Sequence, residues 1–321
     1  MSNFDDLLNN GSPEEQQQQD GRPFSKEEYA AKKRKEREVI YTLADNTAME
    51  IVADGGRFQQ YLDVQAQFSR YSAVNALVIL AQNSEATMIG NFEYWKNQGG
   101  YVMQGQSGIS ILEPGKEYER EDGSIGISYN IKKVFDISQV DTRKLKMAPA
   151  HNYTEKFTER QLLQALISKA PVKITGVTEL PDYLTADANS DVRGENGSVA
   201  DPETGEVFIL KGMEFSDTFS AVALELAYIE AASNASNAKE ALDPNFTAYS
   251  AAYILCKKYG VSTKGFNFEN APGAFGLISE SDPQAIKNEL SKIRDTADVI
   301  SARMEKQLDV LSKSAKIQEE R

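Results

Sequence analysis

Between residues 109 and 135 the hydrophobic pattern changes from a helical period to a period of two. That change limits the fold more than any other feature. Ile109, Ile111 and Tyr118 stand on one side of a turn, and Ile125, Ile127, Tyr129, Ile131 and Phe135 on the other. The connection from Glu119 to Ser124 contains Asp122-Gly123, a pair that favours the tight turn of a hairpin. Upstream, the pattern predicts one or two helices from Ser25, where Glu28 three residues on gives a capping-box spacing. Helices are also expected over 58–68 and 72–82, the latter with Val74, Leu77, Val78 and Ala81 in one stripe. A short helix over 92–98 should end at Gly99-Gly100. Helices followed by a β-ribbon define an α+β first domain.

The second half opens with Thr158, a cap with Gln161 three residues on, and the helical run RQLLQALISKA. Strand-like pieces follow at 172–174, 197–200 and 206–210, the last after the turn DPETG. Helices are expected over 217–233 and 246–259. Residues 283–318 read as a last helix, with Ile286, Leu290, Ile293, Ala297, Ile300, Met304, Leu308 and Leu311 spaced mostly three and four apart. That spacing suits a coiled-coil seam, and equally a helix lying on its own domain's core. The expected organisation is a disordered acidic, Gln-rich tail over 1–23, domains over 24–145 and 155–275, and the helix over 283–318.

Composition removes whole classes of function. The one cysteine, Cys256, excludes an internal disulfide framework, and the one histidine, His151, excludes a site needing two imidazoles. Cys256 lies in an apolar helical stretch without a local base, so it is read as inert. No apolar run approaches the ~20 residues of a membrane span, and the acidic start is unlike a signal peptide. The expected location is the cytoplasm. The formal net charge of −13 is unlike the basic balance of most nucleic-acid binders. It is, however, segregated. Residues 1–23 carry five acids and one Arg, residues 24–150 carry 17 acids and 16 bases, and residues 151–321 carry 26 acids and 18 bases. In the nearly neutral middle, the bases cluster at 32–37, at Lys132-Lys133, and at Arg143, Lys144 and Lys146.

Residues 68–136 carry a continuous series: Phe68-x-x-Tyr71-Ser72-x-x-Asn75, Thr87-x-x-Gly90, Trp95, Gly99, Gly105-x-x-Gly108-Ile109-x-Ile111-x-x-Pro114 and Val134-Phe135-Asp136. In this series the chain resembles the N-terminal domain of the ArdC-type antirestriction family. That resemblance implies a single-stranded-DNA-binding module of a mobile genetic element. Such a site needs aromatic faces for base stacking and cations along the backbone path. The residues expected to contact DNA are Arg70, Tyr71, Ser72, Asn75, Trp95, Lys96, Tyr129, Lys132 and Lys133, with Tyr101 and Phe135 as further aromatic candidates. Core packing competes for each aromatic, and for Trp95 and Phe135 it is favoured. Tyr71 and Asn75 lie four apart on one helix face. The family often has lysines around its GxxG loop, where this chain has Met103-Gln104-Gly105-Gln106-Ser107-Gly108.

The second domain resembles the zincin-like metallopeptidase region of the same family. The resemblance implies HExxH on one helix and a third, acidic ligand on the next. Here those positions are Leu224-Glu225-Leu226-Ala227-Tyr228 and Tyr249. Leucine offers no lone pair and a neutral phenol is a poor zinc ligand, so the expectation is a pseudo-peptidase with no metal and no cofactor. The leading expectation is therefore a non-catalytic single-stranded-DNA-binding protein acting in conjugative transfer, replication or antirestriction. The alternative is an acidic protein-interaction scaffold that dimerises or docks a partner through 283–318. A hydrolase retaining Glu225 for another mechanism ranks last.

Overall fold

The structure is a computed structural model that describes residues 25–120, 122–146, 153–185, 197–201, 203–234, 241–276, 278 and 282–319. The side chains of Lys26, Glu155, Tyr183, Thr185 and 314–319 are not described. The expected tail at 1–23, most of the junction around Pro149, and His151 lie outside these residues. The chain divides into two compact units: residues 1–47 with 77–150, and residues 48–76 with 151–321. The fold is α+β.

In the first unit, helix α1 (Lys26–Val52) starts at the expected capping box, where the Glu28 backbone donates to Ser25 Oγ at 3.1 Å and the Ser25 backbone to Glu28 Oε2 at 2.8 Å. The helix continues past residue 47 into the second unit. Helix α2 (Gly55–Gln67) and the first residues of helix α3 (Ala73–Gln82) also belong to the second unit. Asp54 caps α2 by accepting from the Arg57 backbone at 2.8 Å. Strand β1 (Ile89–Gly90), helix α4 (Phe92–Asn97) and strand β2 (Tyr101–Val102) follow. Then come the long strands β3 (Ile109–Glu119) and β4 (Ile125–Asp136), a 3-10 turn over Ile137–Gln139, and β5 (Val140–Asp141). The sheet order is β1-β4-β3, all antiparallel, and β2 pairs antiparallel with β5.

The β3–β4 hairpin turns at Asp122-Gly123, with Gly123 at φ 79° and the Ser124 N–H donating to Asp122 Oδ1 at 2.9 Å. A bulge between Pro114 and Glu117 shifts the register. At the base of the ribbon, the open edge of β3 is closed by a side chain. The Gln82 amide accepts from Ser110 N–H and donates to Ser110 carbonyl, both at 2.9 Å, as a neighbouring strand would.

In the second unit, helices α5 (Tyr153–Lys156) and α6 (Glu159–Ile167) precede strand β6 (Ile174–Val177), helix α7 (Asp182–Thr185), and strands β7 (Ser198–Ala200) and β8 (Val207–Leu210). Thr158 and Gln161 form the capping box of α6. Strand β8 is central, parallel to β6 and antiparallel to β7. Asp201 fixes the turn between β7 and β8 by accepting from the Glu203 and Thr204 backbones and from Thr204 Oγ1. Helices α8 (Phe215–Ser233), α9 (Pro244–Tyr259), α10 (Ala271–Phe275) and α11 (Pro283–Glu319) complete the unit.

Phe58 of α2 sits 5.5 Å, centroid to centroid, from each of Phe246, Phe268 and Phe275. This aromatic cluster explains why residues 48–76 pack with the second unit although they precede the ribbon in sequence. In α11, Ile286, Leu290, Ile293, Ala297, Ile300, Met304 and Leu308 are all buried, against α6, α8 and α9. Of the two expectations for that stripe, this burial favours the helix lying on its own domain's core. These seven side chains are covered within the chain, and Leu311, the eighth of the expected stripe, is half-buried.

Candidate nucleic-acid interface

The first unit builds a small core around Trp95. The indole is fully buried with Phe135 and Val140, and Met88, Tyr94, Val102, Ile137 and Leu145 pack around them. Its Nε1–H donates to the Phe135 carbonyl at 2.9 Å, which satisfies the polar end of a ring that size. Beside it, Asp136 is buried. Its Oδ1 accepts from the Thr87 and Met88 backbones at 2.7 and 3.0 Å, and its Oδ2 from the Ser138 backbone at 2.9 Å. Burial pushes this carboxyl up, but the hydrogen bonds from Ser138, Met88 and Thr87 outweigh it and hold it below the usual carboxylate range. The Asp136 N–H in turn donates to Gln139 Oε1 at 2.9 Å, closing a capping box on the 3-10 turn.

This core presents β2 and the segment after β5 on one surface. Tyr101 pairs with Asp141 across the two strands, and its ring is 59% exposed. The chain then runs back along the end of α4. The Lys146 N–H donates to the Gln98 carbonyl at 2.8 Å, and the Lys144 carbonyl lies over Gly99, where an added Cβ would come within 2.3 Å of it. Gly99 also has φ 84°, so glycine is required there on two counts. Lys96, Lys144 and Lys146 are exposed on these adjoining segments, and none of them makes a salt bridge among the described residues. Arg143 is committed instead to Asp141, with Nε at 2.9 and 3.0 Å from its two carboxylate oxygens. The hydrogen bond from Arg143 holds the Asp141 carboxyl down at about 2, so that pair stays ionised at neutral pH. Phe92, 61% exposed, stands four residues before Lys96 on α4. Exposed aromatic faces next to uncommitted lysines are what a single strand needs.

The expected DNA-contacting residues fare unequally. Trp95 is corrected outright: a fully buried indole bonded to a main-chain carbonyl offers no face to a base. Lys96 is exposed and belongs to the surface just described. Lys132 is ion-paired to Glu113 at 2.5 Å, and Lys133 donates to the Gly108 carbonyl at 3.0 Å, so neither projects a free charge. Tyr129 is half-buried on the ribbon. Arg70, Tyr71, Ser72 and Asn75 fall in the other compact unit. Arg70 and Ser72 are exposed, and the Ser72 Oγ accepts from the Asn75 backbone at 3.3 Å, a cap for α3. Asn75 is buried, and Tyr71 is half-buried with its ring edge-on to Phe68 at 6.2 Å. The first turn of α3 is interior, with Ala73, Asn75 and Ala76 all buried, so Asn75 does not join Tyr71 on an open helix face. Of the glycines in the GxxG loop, Gly108 is required by packing, since a Cβ there would meet the Phe135 ring at 2.9 Å. Sequence reasoning named Tyr101 and the cluster at 143–146 separately. The pairing of β2 with β5 is what joins them.

The four positions implied for a metal site lie in the second unit. Leu224 and Glu225 are buried on α8, and Glu225 accepts from Ser198 Oγ at 3.0 Å. Tyr228 is half-buried. Tyr249 on α9 accepts from the Asn267 N–H at 2.8 Å, and burial pushes its phenol up, so it stays neutral. A hydrocarbon, two phenols and one carboxylate do not fit a divalent metal. Among the described residues, no group of three or more His, Cys, Asp or Glu is arranged to hold one. Cys256 is fully buried, and burial pushes its thiol up, so it is not a nucleophile. No helix among the described residues is long and apolar enough to cross a membrane.

Comparison with known proteins matches residues 31–147 to the family described as the N-terminal domain of anti-restriction factor ArdC. No curated protein matches the chain. Two crystal structures of the antirestriction ArdC protein from the R388 plasmid are similar to it. The metal-free one has a TM-score of 0.47 at 15% identity, covering 74% of this chain and 86% of that one. The Mn(II)-bound one has a TM-score of 0.45 at 14% identity, covering 73% and 85%.

Proposed function

Because the chain carries an N-terminal domain of the ArdC anti-restriction type over residues 31–147, we propose that it is a non-catalytic single-stranded-DNA-binding protein of a mobile genetic element. It would act in conjugative transfer, replication or antirestriction, in the cytoplasm. What supports this reading is that exposed Tyr101 on β2 and the exposed Lys96, Lys144 and Lys146 stand on adjoining segments. Bases stack on the aromatic faces without regard to sequence, and the lysines track the backbone. The second unit serves as a scaffold, a pseudo-peptidase whose former ligand positions are Leu224, Tyr228 and Tyr249.

The test is fluorescence anisotropy of the full chain with labelled single-stranded oligonucleotides at low and moderate salt. Tyr101→Ala should weaken binding by ~5- to 150-fold, from the ~1–3 kcal/mol of one stacked base. Lys144→Ala with Lys146→Ala should weaken it further and flatten its salt dependence. Absence of binding at low salt, or wild-type affinity in both variants, would overturn the proposal.

A further inference from the structure

The β3–β4 ribbon carries an apolar stripe that runs beyond its cover. On one face of β4, at alternate positions, stand Phe135, Lys133, Ile131, Tyr129, Ile127 and Ile125, an apolar series interrupted once by Lys133, which donates to the Gly108 carbonyl at 3.0 Å. Phe135 is buried, Ile131 and Tyr129 are half-buried, Ile127 is 46% exposed and Ile125 is 62% exposed. Paired strand positions share a face, so Glu117 opposite Ile127 and Glu119 opposite Ile125 flank the two isoleucines, and both glutamates are exposed. Isoleucine exposed twice on one protruding strand face adds nothing to the stability of the ribbon and invites adhesion. On the other face the ribbon covers itself, with the Tyr118 ring lying over Gly126, where a Cβ would meet it at 2.7 Å.

We propose that this face docks a cationic amphipathic segment of another protein, which sets apolar side chains on Ile125 and Ile127 and Lys or Arg against Glu117 and Glu119. Charge decides the occupant. Residues 113–122 hold five acids and two bases; with Glu113 neutralised by Lys132, four acids face two bases. Asp122 is held below the usual carboxylate range by its hydrogen bonds from Ser124, so the tip keeps its negative charge. A second copy of the ribbon laid face to face would oppose Glu117 and Glu119 with the same residues. The chain's own first 23 residues, with five acids and one Arg, meet the same repulsion. A basic partner alone matches both the apolar and the charged parts of the face.

The test uses the full chain and two labelled twelve-residue peptides in which valine alternates with lysine or with glutamate. The lysine peptide should bind and the glutamate peptide should not. Ile125→Thr with Ile127→Thr keeps β-branched residues in the strand and should weaken binding at least tenfold, with an unchanged circular dichroism spectrum. Glu117→Gln with Glu119→Gln should weaken it at least threefold and reduce its dependence on salt. Neither pair should alter oligonucleotide binding, which separates this face from the Tyr101 surface. No binding of the lysine peptide, or equal binding by wild type and both variant pairs, overturns the proposal. So does sedimentation as a dimer that the isoleucine substitutions abolish, because the occupant is then a second copy. If the isoleucine variant fails to fold, the glutamate pair decides alone.

Discussion

Removing the Asp136 carboxylate should loosen the first unit from its centre. Asp136→Ala strips the acceptor from three main-chain donors at 2.7, 3.0 and 2.9 Å in one step. A charge-assisted bond contributes ~1.5–3 kcal/mol, so full loss of three would reach ~4.5–9 kcal/mol. Thr87 and Ser138 are exposed, however, and water can reach their N–H groups once the carboxylate is gone. The expected cost is therefore about 3 kcal/mol. Asp136→Asn should cost less, about 1–2 kcal/mol, because its amide oxygen can still accept from Thr87 and Met88. Its NH2 group would then face the Ser138 N–H, donor against donor. Trp95 is the chain's one tryptophan and lies in this core, so its fluorescence during urea unfolding reports this unit and not the other. The folded pKa of Asp136 is depressed, so its stabilisation is present above the unfolded carboxylate value of ~4 and is lost as pH falls through the folded value. The gap between wild type and Asn should accordingly narrow in acid. Variants within about 0.5 kcal/mol of wild type, half of the smallest cost above, would refute the reasoning. So would Asn being worse than Ala, or a gap that widens in acid.

Leu290→Ala, at a position with no exposure on α11, should cost ~2–5 kcal/mol of second-unit stability and leave the sedimentation coefficient unchanged; a change of oligomeric state would show that the stripe serves association after all. Elemental analysis of the purified full chain should find far less than one zinc or manganese per chain, and a content near one would refute the pseudo-peptidase reading.

Much of the framework was legible because it is local. Ser25 with Glu28 and Thr158 with Gln161 close the capping boxes their spacing predicts, and Asp122-Gly123 turns the hairpin. Strand β6 lies two residues later than expected, at Ile174–Val177, because its partner β8 sets its register. The start of α2 at Gly55 was hidden by distance. A glycine pair argues against a helix, but a Cβ at Gly55 would come within 2.2 Å of the Phe268 carbonyl, a contact over 200 residues away. The site was less legible than the fold. The motif that marks the family is mostly scaffold: Trp95 and Phe135 fill the core, Asp136 holds the main chain of Thr87 and Met88, Ser72 caps a helix, and Gly99 and Gly108 admit close neighbours. These residues are spent on the small core, and the side chains proposed to bind DNA stand outside the motif.

That separation also limits the affinity that the proposed DNA-binding surface can reach. Lys132, Lys133 and Arg143 are engaged within the protein, which leaves Lys96, Lys144 and Lys146 as the cations on the segments that adjoin Tyr101. Each phosphate neutralised on a single strand contributes about −0.7 to the slope of log K against log salt, so three contacts give a slope of about −2. A tenfold rise in salt should then weaken binding by about a hundredfold, and the remaining, salt-resistant part belongs to stacking on Tyr101. Tyr101→Ala should lower the affinity without altering the slope, whereas the Lys144 and Lys146 substitutions should reduce the slope to about −0.7. A wild-type slope steeper than about −4 would require more phosphate contacts than this surface has free lysines. It would move the binding site away from Tyr101, even if single-stranded DNA were bound tightly.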